Sequence, residues 1–462
     1  MTAENLTDLL LRQAWAALDA DPAYLELVEF TGDGTGLLHS THAALPAMSA
    51  AVAASTLGAS LLDGARRGEP AHPVLIDQEH VAIAARSEHY ARSESVEKSD
   101  RISPLSMFWL TRDEKWFRVH GEYPWHYERA LEVLACEDRH RSVKQAVATW
   151  RSEDLEDALA AAGGLGYAVR TEGEWNSHPQ GVAVAGLPLL EMTIGEGAGS
   201  GPTPGRAASG LRVLDLTRVL AGPIATRTLA GWGAEVLRID SPRLPELPLH
   251  AVDTLSGKRS AELDLGEHAG RVRLEELLQS ADLLVQGYRP GALARFGLDP
   301  MDLAERHPQL SVVTLSAWGS VGPWSARRGF DSLVQCPTGI ALAEGEDGHP
   351  GWLPAQVLDH ATGYLAAAAG LLALASVQRD GRPRSAQLSL AQTARWLTGA
   401  GPVVPETPRP ANVDAYRLVL PGAAAPVEVI GPPGRLADLS PSWAFTADLG
   451  SSSPTFEGAE PG

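Results

Sequence analysis

Apolar and polar positions follow two rhythms along this chain, and the second half shows both most clearly. "LRVLDLT" (Leu211–Thr217) is a short β-rich run that a Gly-Pro turn separates from "IATRTLAGWGA", whose apolar positions recur as on an amphipathic helix. "EVLRID" (Glu235–Asp240) reads as a second strand, "RLEELLQSA" and "DLLVQGY" as a helix and a strand, and "LAERHPQLSVVTLSAWG" repeats that pair. Strands alternating with helices imply α/β architecture, an open parallel sheet covered by helices on both faces. "PAQVLDHATGYLAAAAGLLALA" (Pro354–Ala375) breaks the amphipathic pattern, because Leu365–Ala375 is apolar on every face and so predicts a helix buried all round.

The same reading divides the chain. Residues 1–104 are alanine-rich with long apolar helical stretches, and 105–194 form a smaller, more aromatic α+β unit with one long helix over "VKQAVATWRSEDLEDALAAAGG". A Gly/Ser/Pro segment (195–209) predicts a flexible linker, 210–400 the sheet domain, and the Pro/Gly/Ala-rich tail 401–462 largely irregular chain. A shift of 312 residues lays "AMSAAVAASTLGASLLDGARRG" over "DHATGYLAAAAGLLALASVQRD" without a gap, pairing Gly58 with Gly370 and Arg67 with Arg379. Such a repeat makes residues 1–104 a partial copy of the sheet domain, with Ala47 facing Asp359.

Composition narrows the function. A net charge of −19 disfavours nucleic acid and anionic membrane as partners. Two cysteines, Cys136 and Cys336, make no disulfide framework, and the acid-bearing N-terminus lacks the basic region of a signal peptide. No apolar run reads as long enough to span a bilayer, so a cytoplasmic protein is expected. The histidines show no metal spacing, and GxGxxG, P-loop and GxSxG patterns are missing.

Asp359 is the most suggestive single residue. Its place at the mouth of an apolar helix suits a structural cap, whose oxygen accepts a backbone N–H. The helix dipole would also favour the ionised carboxylate, a competent nucleophile toward an activated acyl group. Asp240 could meet a ribose hydroxyl or simply end a strand. Tyr288 and Arg295 could stack on a base and pair with a phosphate, or lie on an ordinary surface turn.

Taken in order, "LRVLDLTRVLAGPIATRTLAGWGAEVLRID", "GKRSAELDL", "DLLVQGYRPGALARFGLDP", "LSAWGSVGPWSARRGFD" and "LDHATGYLAAAAGLLALASVQRDGRPRSAQLSLAQTA" resemble the class III CoA-transferase family. That resemblance implies an open parallel Rossmann-like sheet domain with a smaller second domain. Here the smaller unit precedes the sheet domain, whereas in the family it follows. The resemblance further implies that Asp359 attacks an acyl-CoA thioester, that CoA passes through an aspartyl intermediate, and that a carboxylic acid accepts it. Coenzyme A is then a substrate and no cofactor is held permanently; a homodimer is expected. By matching position, Val219, Leu220, Ala221, Leu263, Tyr288 and Arg295 would contact CoA, with Arg328 and Asp331 near the nucleophile. Ser241 stands where formyl-CoA transferase has an arginine. Phe330 stands where the racemase branch has its proton-carrying histidine, which sets transfer ahead of acyl-CoA racemisation. A CoA-binding protein without turnover is a third reading. Backbone N–H groups of "AEGEDGHPGW" are candidates for stabilising an oxyanion.

Overall fold

The computed structural model describes residues 3–96, 103, 105–199, 201 and 203–457. Its central feature is a seven-stranded sheet of β1 (Leu190–Ile194), β2 (Arg212–Leu216), β3 (Glu235–Asp240), β4 (Lys258–Glu262), β5 (Leu283–Gln286), β6 (Ser311–Ser316) and β7 (Arg384–Ser389), in the order β4-β3-β2-β5-β6-β7-β1. Strands β2 to β7 run parallel and β1 pairs antiparallel with β7. The order reverses between β2 and β5, and crevices outside the carboxyl ends of such a switch point are where α/β sheets take ligands. β1 lies in the segment expected to belong to the smaller unit; pairing with β7 carries it into the main sheet instead.

Three helices build the interior: α1 (Ala44–Arg67), α2 (Ala221–Gly231) and α3 (Val357–Asp380). Residues Val357–Gln378 of α3 are all buried, wedged between the sheet, α2 and α1. Small side chains permit that close approach. A Cβ on Gly58 would stand 3.1 Å from Leu371 Cβ, and one on Gly363 would stand 2.6 Å from the Ala221 carbonyl oxygen. Both α1 and α3 are long and apolar enough to cross a membrane by length and composition, contrary to the reading that no apolar run is long enough to span a bilayer. Their surfaces are spent on each other and on the sheet, 94% and 100% of the most apolar window being buried within the protein.

The two stretches aligned at a 312-residue shift share an order of elements. Helix α1 is followed by a strand (Val74–Asp77) and a helix (Gln78–Ala84), as α3 is followed by β7 and a helix (Leu390–Gly399). Both long helices end on a left-handed glycine, Gly68 and Gly381. Asp77 and Ser389, 312 residues apart in the sequence, each cap the following helix with a side-chain oxygen.

Residues 105–194 contain an antiparallel sheet (Phe108–Leu110, Trp116–Val119, Gly166–Ala168) around Trp109, Phe117, Leu155 and Leu159. The single helix expected over 143–164 is two, His140–Val147 and Ser152–Ala162. Tertiary bonds break it: Asp113 takes the Ser152 N–H and hydroxyl, and Arg112 N–H donates to the Trp150 carbonyl. Within the expected linker, Ser200 and Pro202 lie outside the described residues. The remainder is tied down, with Arg66 donating to the carbonyls of Thr203, Pro204, Ala207 and Ser209. The tail, whose last five residues (458–462) are likewise undescribed, contributes strands Arg417–Leu420, Val427–Ile430 and Arg435–Leu436. Val427–Ile430 pairs with Arg92–Ser93, and Arg435–Leu436 with Val74–Leu75.

Candidate active site

Asp359 is the third residue of α3, one turn before Gly363 meets the α2 N-terminus. The expected capping role falls elsewhere. Asp331, from the loop after β6, accepts the Asp359 backbone N–H at 2.9 Å and the Gln335 amide on its other oxygen. Asp359's own carboxylate accepts no hydrogen bond from a described residue. Burial, then the charges of Asp331 and Glu88, hold it well above the usual carboxylate range. The expected pull of the helix N-terminus toward the ionised form is thus opposed by desolvation and two like charges, which together set the direction of the shift. Asp331 itself is pushed up to about 6, chiefly by burial.

Glu88 reaches this pocket from a helical turn, Ser87–Tyr90, in the N-terminal segment. Its Oε2 lies 2.9 Å from His360 Nε2. Burial pushes Glu88 upward, but the charge of His360 and that hydrogen bond prevail and hold it below its ordinary value. The turn is pinned by Ser87, which donates to Asp253 and accepts from Arg227, itself 2.5 Å from Asp253.

Phe330, next to Asp331 in the chain, packs among the rings of His120, Tyr123 and His126, with centroids 4.4, 6.1 and 6.2 Å away. Both imidazoles are held near 3: burial dominates, helped by Arg118 at His120 and by Arg328 and Arg129 at His126. They are neutral at physiological pH.

At the switch point Val219 adopts a left-handed φ of +67° and its N–H donates to Glu246. Glu246 also binds Arg238 at 3.0 Å and takes the Tyr123 hydroxyl. Leu220 and Ala221 begin α2 directly behind. Arg238 Nε and Nη1 and Asp240 Oδ2 are buried without hydrogen-bond partners, polar capacity that a ligand in this crevice would satisfy. Leu263 and Tyr288 share an apolar cluster with Leu216 and Ile239, so both flank the crevice. Arg295 is exposed, stacked 4.6 Å over Phe296, with no described contact to the others. Arg328 is half-buried beside a cavity of about 70 Å³ lined by Gly164, Leu165, Tyr167 and Ala326.

The structure therefore joins Asp359 with Asp331, and Val219 to Ala221 with Tyr288 and Leu263, and leaves Arg295 apart. In "AEGEDGHPGW" four N–H groups are already engaged: Gly345 donates to the Leu342 carbonyl, Glu346 and His349 to each other's carbonyls, and Gly351 to the Ala341 carbonyl. Glu344 is held by Ser40, Thr41 and His42. Glu88, Tyr123, His126 and Glu246 are site residues that sequence reasoning missed. Three of them come from outside the sheet domain, where no spacing links them to Asp359.

The model of CoA-transferase family III matches residues 208–412. A probable fatty acyl-CoA transferase of Mycobacterium tuberculosis is 31% identical over 208 residues, 42% of this chain and 53% of that protein. The formyl-CoA:oxalate CoA-transferase of Streptomyces coelicolor is 32% identical over 199 residues, 40% and 48% of the two chains. A crystal structure of the Mycobacterium tuberculosis protein aligns with TM-score 0.40 at 32% identity, covering 43% of this chain and 57% of that one. The chain spans about half the length of the curated relatives it matches. The segment that matches the class III CoA-transferase family model holds β2 to β7, α2 and α3.

Proposed function

We propose that this chain moves coenzyme A from an acyl-CoA to a carboxylic acid, with Asp359 as the nucleophile. Relatives named as CoA-transferases support the reaction class. The observation that carries the residue assignment is the division of labour at α3: Asp331 takes the backbone donor, leaving Asp359 a carboxylate with no other bond to keep.

In the reaction, an Asp359 oxygen attacks the thioester carbonyl, the C–S bond breaks, and an acyl–aspartyl anhydride and CoA thiolate form. The thiolate then attacks the Asp359 carbonyl, expelling the donor acid as its carboxylate and leaving an aspartyl-CoA thioester. The acceptor carboxylate repeats the exchange in reverse and restores Asp359. Splitting the transfer this way is nucleophilic catalysis. No net proton is consumed, so the neutral imidazoles of His120 and His126 need only exclude water from the anhydride.

Hydroxylamine trapping during incubation with acyl-CoA, followed by peptide mass mapping, tests the proposal. A hydroxamate on Asp359 is the expected product, and undiminished CoA exchange by Asp359→Ala sinks it. The upward push on Asp359 from burial, Asp331 and Glu88 favours one rival, a CoA binder without turnover, which would bind CoA and give neither hydroxamate nor exchange. Racemisation lacks its proton carrier at Phe330. Under the same proposal the chain acts as a cytoplasmic homodimer, and its two cysteines, both free, suit a reducing compartment.

A further inference from the structure

Three guanidinium groups from three separate segments converge beside the cavity at Gly164–Tyr167. Arg129 comes from helix Pro124–Leu134, Arg289 from the loop after β5, and Arg328 from the loop after β6. A Cβ on Gly163 would touch Arg129 Nη1 and lie 3.6 Å from Arg328 Nη1, so that glycine leaves open the space the two share. Arg328 is held below the ordinary guanidinium value first by burial and then by the charges of Arg289 and Arg129. Their protein contacts are weak: Arg129 donates to the Gly163 carbonyl and Arg289 to the Ala326 carbonyl, both at 3.4 Å. Among the described residues no carboxylate pairs with any of the three. The neighbouring Arg327 by contrast is held by Asp157 at 2.5 Å.

A chain with a net charge of −19 has acids to spare, yet three cations here repel one another uncompensated. Guanidinium groups in that state suit a multiply charged oxyanion, which accepts several charge-assisted bonds at once. We propose that Arg129, Arg289 and Arg328 form a binding site for a phosphoryl group of the nucleotide thioester, in which the unit ahead of the sheet domain supplies Arg129. Recognition of that anion is then shared between two parts of the chain, and Arg129 lies outside the segment that matches the family. The choice of phosphoryl donor rests on the CoA-transfer reading; the anion site itself does not.

Arg129 is exposed, so Arg129→Gln should fold as the parent does. Calorimetric titration with inorganic pyrophosphate, CoA and 3′-dephospho-CoA is the test, run on the parent, Arg129→Gln and Arg129→Lys. The expected result is about a tenfold loss of pyrophosphate and CoA affinity in Arg129→Gln, partial recovery in Arg129→Lys, and steep weakening with salt in the parent. A loss for CoA that is absent for 3′-dephospho-CoA assigns the 3′-phosphate; an equal loss for both assigns the pyrophosphate. Unchanged affinity for pyrophosphate and CoA in Arg129→Gln overturns the site while leaving CoA transfer intact. Pyrophosphate binding that depends on Arg129 in a protein that ignores CoA keeps the site and overturns the transfer reading.

Discussion

Two carboxylates, Asp331 and Asp359, meet at the first turn of α3, and the backbone N–H between them goes to Asp331. Asp359 therefore bears the cost of burial without a compensating bond, which predicts a signature that separates reactivity from stability. An acid whose folded pKa is raised contributes its stability below the unfolded value of about 3.9, and loses it as pH climbs through the folded one. Asparagine does not titrate. Asp359→Asn should match the parent's melting temperature near pH 4 and exceed it at pH 8, each kcal/mol being worth about 2–4 °C, while hydroxamate formation disappears. Thermal melts across that range check it; an Asn variant less stable at pH 8 would mean the carboxylate is held by bonds after all. The same cause makes the parent's rate of acyl-enzyme formation rise with pH, since only the ionised fraction attacks. Glu88→Gln removes one of the two charges that push Asp359 upward. Its rise should begin at lower pH, at a stability cost of about 1–3 kcal/mol for the weakened His360 bond, and stopped-flow pH profiles of both proteins measure the displacement.

Among the elements, α3 is positioned by what it lacks. Gly363 brings its backbone against the Ala221 carbonyl and the Ile224 side chain, which fixes the Asp359 helix to the start of α2. A methyl group there meets backbone, which cannot swing aside. Gly363→Ala should cost about 1–3 kcal/mol and reduce transfer well beyond that loss of stability, because the whole first turn moves; denaturant melts with parallel kcat measurements distinguish the two effects. The elements also show what kind of signal a sequence carries. Strands β2, β3 and β5 are legible because buried parallel strands are nearly continuous apolar runs. Nothing in "KRSAE" marks β4, since Lys258 is buried only by virtue of a partner, Asp215, 3.0 Å from its amine on another strand. Likewise α3 is legible as a buried helix from its alanines, but the identity of its cap is not. Asp331 stands 28 residues earlier, and only the fold brings it to the Asp359 N–H. Glu88 and Glu246 are illegible for the same reason: each gains its role through a tertiary neighbour, His360 or Arg238.

At the scale of the whole molecule, the family-matching segment is incomplete without its surroundings. α1 covers one side of α3 along its length, and the turn at Glu88 meets α3 at His360, beside Asp359. A fragment spanning only residues 208–412 would expose the apolar flank of α3, so it should bind a hydrophobic dye and unfold without a sharp transition. Calorimetry of the fragment against the full chain tests this, and a cooperative melt equal to the parent's would show that the N-terminal segment is dispensable. The alanine-rich N-terminal segment then has a physical use whatever its origin: its helix α1 supplies the wall against which α3 is built.

The pairing of Arg435–Leu436 with Val74–Leu75 also sets a timetable. Their small sheet, with Val28–Thr31 as its third strand, joins chain ends that leave the ribosome far apart. At about 5–20 residues per second, the early strands wait roughly 20 to 70 seconds for the last one. Throughout that interval Val74–Leu75 offers an unpaired edge, and until Val357–Asp380 has been made α1 has a greasy face with no α3 to receive it. Such a nascent chain is a natural client for chaperones, and its yield should depend more on their supply and on translation speed than on the stability of the finished fold.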